Sequence, residues 1–258
     1  MSAVLKPVAP VKPPNTLMRL AGRAIADYDM IRPGDRVLLA LSGGKDSLGL
    51  LHTLLALQKK ALTKFELAAA TVDPCIAGFD PAHLQDYVPT YGVPYFYRRE
   101  QIVERAQHTM RGNSFCAYCA RMRRGILYDV ARREGYNVLA MGQHLDDLAE
   151  SFLMSAFHNG RLSTMKAHYV IDAGDLRVIR PFVYVRERAL RDFAVRSGLP
   201  AIMDNCPACF RIPTERARIK QLLAAEEALH PKLFQSLLAT IRPLMGDTKE
   251  QTPTKSPY

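Results

Sequence analysis

Ser42-Gly43-Gly44-Lys45-Asp46-Ser47 gathers the residue types that hold a phosphate chain. The glycines let backbone N–H groups approach an anion, and a helix starting here would aim its open amides at it. Lys45 can neutralise phosphate charge, Ser42 and Ser47 can donate hydrogen bonds, and Asp46 is placed to hold Mg²⁺ against the phosphates. This is not a Walker A loop, because Leu39 stands where its first glycine should be and Asp46 replaces the hydroxyl residue after the lysine. A kinase-like site for a γ-phosphate is therefore disfavoured. A second run, Gly142-Gln143-His144-Leu145-Asp146-Asp147, carries a histidine and paired acids at the start of an apolar helical pattern. These can help bind Mg-ATP or steer a proton, with Asp146 the candidate for orienting the base or relaying that proton. A helix cap favoured by the macrodipole would need the same acids.

Cys116-Ala117-Tyr118-Cys119 and Cys206-Pro207-Ala208-Cys209 form two C-x-x-C pairs. Thiolates at this spacing can share a metal or a cluster, and soft sulfur suits Fe–S and zinc alike. A redox pair or unconnected structural cysteines are the other readings. Cys75 belongs to neither pair and reads as packing. Arg121, Arg123 and Arg124 follow the first pair, and Arg180, Arg186 and Arg188 come later. Their guanidinium groups can bind phosphates, stack on bases or neutralise an adenylated intermediate, although a charged run is more often a solvated helix face. Arg123 lies one helical turn beyond Cys119 and is the preferred active-site member.

Positioning these residues falls to alternating strands and helices. Residues 36–41 form a short apolar run that stops at Ser-Gly-Gly, as a buried parallel strand would, and 48–57 then take helical apolar spacing. The alternation returns as a strand at 65–72, a helix at 81–91, a strand at 93–97, a helix around 100–107, a long helix at 116–134, a strand at 137–141 and a helix at 146–158. Beyond Asn159-Gly160 the pattern thins to a strand at 176–179, a helix at 186–197, a loop through the second cysteine pair, and helices near 214–229 and 231–241. The expected fold is α/β: a doubly wound, Rossmann-like parallel sheet that binds ligands outside the carboxyl ends of its strands, with a small C-terminal helical appendage. The expected organisation is a Pro-rich disordered arm over 1–15, the main domain over 16–200, a Cys loop and helices over 201–245, and a disordered tail over 246–258.

Composition narrows the partners. With 258 residues, 48% hydrophobic and 23% charged, the chain suits one large domain and excludes a disordered, collagen-like or disulfide-dense protein. No stretch approaches the roughly 20 apolar residues of a membrane span, and residues 1–15 are Pro-rich rather than signal-like. A cytoplasmic setting without membrane contact is expected. A net charge of +10 is the balance expected for a polyanionic partner such as nucleic acid.

The hexapeptide from Ser42 to Ser47 resembles the PP-loop of the N-type ATP pyrophosphatases, which cleave ATP between the α and β phosphates and adenylate their substrates. The order of motifs is more specific: residues 24–31, Gly34-Asp35-Arg36, the hexapeptide, Cys116-x-x-Cys119 with the following 120–128, Gly142 to Asp147, Ile179-Arg180-Pro181-Phe182, and Cys206-x-x-Cys209. This order resembles the tRNA 2-thiocytidine synthetase family, TtcA, over nearly the whole chain apart from the tails. The resemblance implies a PP-loop ATP pyrophosphatase fold and ATP- and Mg²⁺-dependent thiolation of cytidine 32 in tRNA. It implies ATP binding by Ser42, Gly43, Gly44, Lys45, Asp46, Ser47, Val72, Asp73, Gly142, His144 and Asp147, and catalysis by Lys45, Asp46, Arg123 and Asp146. It also implies a 4Fe-4S cluster on Cys116, Cys119 and Cys209, with Cys206 the alternative third ligand; the iron without a protein ligand could then bind sulfide. Arg121, Arg124 and Arg180 would meet RNA, a cysteine desulfurase would donate sulfur, and the chain would form a homodimer. The chain departs from the family pattern at Gln143, where a first histidine is usual, at Asp73-Pro74-Cys75-Ile76, usually Gln-rich, and at Phe210-Arg211, usually Gly-Ser. Two other readings are a PP-loop adenylating ligase with zinc in the cysteine sites, and a non-catalytic zinc-stabilised RNA-binding module.

Overall fold

The computed structural model describes residues 8–60, 63–76, 78–102, 104–105, 115–202 and 214–246, with the backbone alone at 115–117. Strand β1 (Arg36–Ala40) lies at the centre and is apolar on both faces. Val37 and Leu39 enter one core and Leu38 the other, the period of two that a strand buried on both sides requires. Strands β2 (Glu66–Asp73) and β3 (Tyr95–Arg99) extend the sheet on one side of β1, and β4 (Val138–Ala140), β5 (His168–Val170) and β6 (Arg177–Ile179) on the other. The six strands run in the order β3-β2-β1-β4-β6-β5.

All pairings are parallel except the last, where β5 runs antiparallel to β6 with His168 opposite Ile179. The sheet is thus mixed rather than wholly parallel. A three-residue edge strand is too short to show a hydrophobic period, which is why its sequence reads as loop. The chain builds outward from β1 to β3 and then crosses to β4 on the opposite flank. Strand order therefore reverses between β1 and β4, and sheets of this kind bind ligands in the crevice beyond such a reversal.

Helices α1 (Asn15–Asp27), α2 (Lys45–Lys60), α5 (Leu145–Asn159) and α6 (Glu187–Arg196) share one core through Leu17, Leu51, Leu148 and Phe193. Helix α4 (Phe115–Glu134) covers the other face with Leu127, Val130 and Ala131. Between β2 and β3, the helix expected at 81–91 is a single turn, α3 (Leu84–Tyr87), followed by a 3₁₀ turn that opens at Pro89, which has no N–H to continue the ladder. Helix α1 was not anticipated, because alanines and a glycine dilute its apolar stripe of Leu17, Ala21 and Ala24. Of the arm expected over 1–15, residues 8–14 are described and are tied to the body: Val8 N donates to Thr90 O at 2.7 Å and Val11 N to His52 Nδ1 at 3.2 Å.

The helices α7 (Glu215–Leu229) and α8 (Leu233–Ile241) send Ile219, Leu223, Phe234 and Ile241 into the same core as Leu148. They are part of the main body rather than an appendage on it. At the amino ends of the strands, Asp35 accepts from Arg32 N at 2.6 Å and Asn137 Nδ2 at 2.9 Å and pairs with Arg177. This buried knot ties the starts of β1, β4 and β6 together, at the end of the sheet away from the crevice.

Candidate active site

The crevice is formed by the two turns that follow β1 and β4. Gly43 has φ +85°, and a Cβ there would lie 2.3 Å from Ile202 Cδ1, so glycine alone fits. Ile202 N donates to Gly43 O at 2.9 Å from the opposite side. Ser42 Oγ accepts from Gly44 N at 3.3 Å and lies 3.1 Å from Ser47 Oγ, which donates to Gly44 O at 2.9 Å. These bonds hold the turn so that the first amides of α2, which have no intrahelical acceptor, open into the crevice. Gly142 brings the second turn against the first: a Cβ there would stand 3.3 Å from the Asp46 carbonyl carbon and the Ser47 nitrogen.

His144 caps α5 in a reciprocal box, accepting from Asp147 N at 3.4 Å while Asp147 Oδ2 accepts from His144 N at 3.0 Å. Its other ring nitrogen lies 3.8 Å from Asp46 Oδ2. The imidazole, 4% exposed, therefore stands between the carboxylates of Asp46 and Asp147. Burial pushes the Asp46 carboxyl above its ordinary range despite His144 and Lys45 nearby. Its Oδ1 is buried with no hydrogen-bond partner among the described residues.

Lys45 Nζ sits 3.0 Å from Asp46 Oδ2 and 3.1 Å from Glu187 Oε1. Burial opposes its charge, but the two carboxylates outweigh that and raise its pKa. Burial likewise opposes the Glu187 carboxylate, yet Lys220 at 2.6 Å and Lys45 bring it down to about 2. Asp146 does not face the cavity. It accepts from Glu187 N at 2.7 Å and from Arg186 Nε at 3.1 Å, while the other end of Arg186 forks onto Glu227 at 2.6 and 2.7 Å. Asp146 thus fixes the start of α6, and Asp147 is the acid of the pair at the cavity wall.

That cavity, of about 320 Å³, is lined by Ser42, Asp46 and Ser47 from the first turn and by Gly142 and Gln143 from the second. Ala70 and Val72 of β2 give it an apolar end, and Arg123, Arg124 and Leu127 of α4 form a wall. Arg123 also stands over the Phe79 ring at 6.0 Å, and Arg124 Nε is buried with no partner among the described residues. Arg121 is exposed on α4. Arg180, expected at an RNA surface, is instead 5% exposed: it donates to Gln143 Oε1 at 3.0 Å and Lys166 O at 2.6 Å. Asp73 is outside the lining, accepting from Tyr97 Oη at 2.6 Å and Cys75 N at 2.9 Å.

Sequence reasoning missed Glu187, Arg216 and Glu150. Arg216 lines the cavity, 3.4 Å from Asp147 Oδ1 and 3.8 Å from Glu150 Oε2. Burial pushes the Glu150 carboxyl up to about 7. Among the first cysteine pair, Cys119 is 9% exposed in the α4 core, one turn before Arg123, and Cys116 is placed on the same helix by its backbone. Cys206 and Cys209 lie outside the described residues, as do 247–258 and parts of the segment 100–107. Among the described residues no group of three or more His, Cys, Asp or Glu is assembled to hold a metal ion.

A reversed sheet with this turn at the reversal defines a PP-loop protein, and residues 17–227 match the family model of the PP-loop domain. A tRNA-cytidine(32) 2-sulfurtransferase of Geobacter sulfurreducens is 39% identical over 221 residues, covering 85% of this chain and 86% of the relative. Another, from Syntrophotalea carbinolica, is 40% identical over 226 residues, 87% of each chain. The chain belongs to the tRNA-cytidine(32) 2-sulfurtransferase family of PP-loop proteins. The fold is also that of the U34-tRNA thiolase NcsA from Methanococcus maripaludis, solved with its 4Fe-4S cluster: the TM-score is 0.68 at 22% identity, covering 89% of this chain and 78% of that one.

Proposed function

We propose that the protein is an ATP-dependent tRNA sulfurtransferase that converts cytidine 32 to 2-thiocytidine. One observation carries this reading beyond family membership. Two buried polar atoms of opposite character at the same cavity lack partners among the described residues: Asp46 Oδ1 wants a cation and Arg124 Nε an acceptor. Mg²⁺ bound to ATP phosphates supplies both, since Mg²⁺ is usually held by one or two carboxylates plus phosphate oxygens. Asp46 and Asp147 would be those carboxylates, and the ion would offset phosphate charge as the α–β bond breaks.

Adenosine lies over the apolar end at Ala70 and Val72, with the phosphates along the Ser42–Ser47 turn. The C2 carbonyl oxygen of the cytidine attacks the α-phosphorus, and the bond to the β-phosphate breaks to release pyrophosphate. A hydrosulfide-level nucleophile then attacks C2 and the C2–O bond breaks, releasing AMP with the original oxygen and a proton, without net oxidation. The loop amides and Lys45 stabilise the charge that develops on the phosphates. Arg123 and Arg124 face the adenylated base from α4. Arg180 acts through Gln143, whose side chain it orients. The reacting base has to be unpaired to enter, as a base in a tRNA loop is, and exposed Arg121 lies on the approach.

The cysteines are of the type and spacing that suit a 4Fe-4S cluster: Cys116 and Cys119 are three residues apart on α4, the helix whose Arg123 and Arg124 wall the cavity, and Cys206 and Cys209 follow in sequence after Ile202, whose N–H meets the phosphate turn. Such a cluster on Cys116, Cys119 and Cys209, or Cys206, would supply an iron able to hold sulfide. Sulfur delivery by a cysteine desulfurase, a cytoplasmic setting and self-association complete the reading on family resemblance alone.

The test is anaerobic purification, measurement of iron, acid-labile sulfide and zinc, and assay of 2-thiocytidine in tRNA with ATP and sulfide. Lys45→Ala loses ATP-dependent product and keeps its iron and sulfide; Cys119→Ser loses all of them. Full activity in Lys45→Ala refutes the phosphate site. Zinc alone, with no cluster that can be rebuilt, brings forward the zinc-containing ligase.

A further inference from the structure

Arg216 opens the first turn of α7, on an element far in sequence from both crevice turns, yet its side chain forms part of the cavity wall. Its place across the sheet matters. The apolar end of the cavity lies over the tips of β1 and β2, whereas Asp147 and Arg216 stand on the β4 side of the reversal, because α5 follows β4. A nucleotide with its base over β2 and its phosphates along the turn after β1 therefore runs toward Arg216, so its outermost phosphates end there.

The guanidinium is available for that contact. Its approaches to Asp147 at 3.4 Å and Glu150 at 3.8 Å are long for charge-assisted hydrogen bonds, and the side chain is 49% exposed. Arginine carries five donors in a planar fork suited to phosphate oxygens, and loose contacts to two carboxylates leave most of them free. A cation held by Asp147 would weaken that residue's attraction for Arg216 and favour transfer of the guanidinium to the phosphates. The same helix also reaches the other side of the site, through Lys220 on Glu187 at 2.6 Å and Glu187 on Lys45 at 3.1 Å.

We infer that Arg216 binds the β- and γ-phosphates of ATP and neutralises the pyrophosphate as it leaves. The inference rests on the reading of this cavity as an ATP site and adds a contact from a helix that the phosphate-loop motif does not include. Arg218, two residues on, pairs with Glu215 at 2.9 Å and is not in the cavity lining, so it serves as a charge-matched control.

The experiment measures equilibrium binding of Mg-ATP and of AMP to the full-length protein without tRNA or sulfide, for wild type, Arg216→Ala, Arg216→Lys and Arg218→Ala. Loss of a charge-assisted contact should raise the Kd for ATP by about tenfold or more in Arg216→Ala while AMP binding changes by less than about twofold. Arg216→Lys should fall between, because it keeps the charge and loses the fork, and Arg218→Ala should bind as wild type does. Equal losses for ATP and AMP would overturn the inference in favour of a general structural role for α7. Unchanged ATP binding overturns it too. A wild-type protein that binds ATP but makes no 2-thiocytidine would sink the proposed function and leave this test standing.

Discussion

A methyl group at position 43 would push aside the end of the Ile202 side chain and would also burden a backbone at φ +85°. Gly43→Ala should therefore cost about 1–3 kcal/mol, chiefly from the left-handed strain. Denaturant unfolding will read that loss, with weaker ATP binding alongside it. His52 makes a different demand. It is fully buried, its Nδ1 accepts from Val11 N, and its Nε2 lies 2.7 Å from Tyr87 Oη. Burial lowers its pKa from 6.5 to about 4. Its contribution to stability is therefore complete above pH 6.5 and is lost as the pH falls toward 4, by about 3 kcal/mol in total. Unfolding free energies across that window should show this slope in wild type and a flatter one in His52→Gln. At this scale the phosphate turn was legible in sequence because its chemistry is contiguous. Glu187 and Arg216 were not, because only folding brings them to Lys45 and Asp147.

At the scale of elements, the central strands were readable from continuous apolar runs, and the ends of α5 from a histidine, two acids and Gly160. What escaped was short or diluted: β5 has three residues, and the buried face of α1 is partly alanine. The Asp35 knot also joins residues that sequence separates by more than a hundred positions, from Asp35 to Asn137 and Arg177. Removing one partner from a buried ion pair typically costs about 3–5 kcal/mol. Asp35→Ala should lose stability on that scale, seen as a lower denaturation midpoint. Because the knot lies at the amino ends of the strands, the folded fraction should bind ATP with wild-type affinity.

For the whole molecule, the sequence suggests a boundary at residue 200, where the second cysteine loop and the C-terminal helices follow the alternating strands and helices. In the structure α7 and α8 fill the core shared by α5 and α6. A chain ending at residue 200 would expose Leu148, Phe152 and their neighbours. It should be insoluble or lack a cooperative thermal transition, whereas removal of 247–258 should leave the transition within a few degrees of wild type.

The two borders of the sheet carry one more consequence. β3 ends in Arg98 and Arg99, the latter 74% exposed, and β5 offers only three residues of antiparallel backbone. Charged or very short borders make poor templates for pairing with a strand from another molecule. Two copies of this chain that associate would therefore do so through helical surfaces, with each sheet remaining closed to the other.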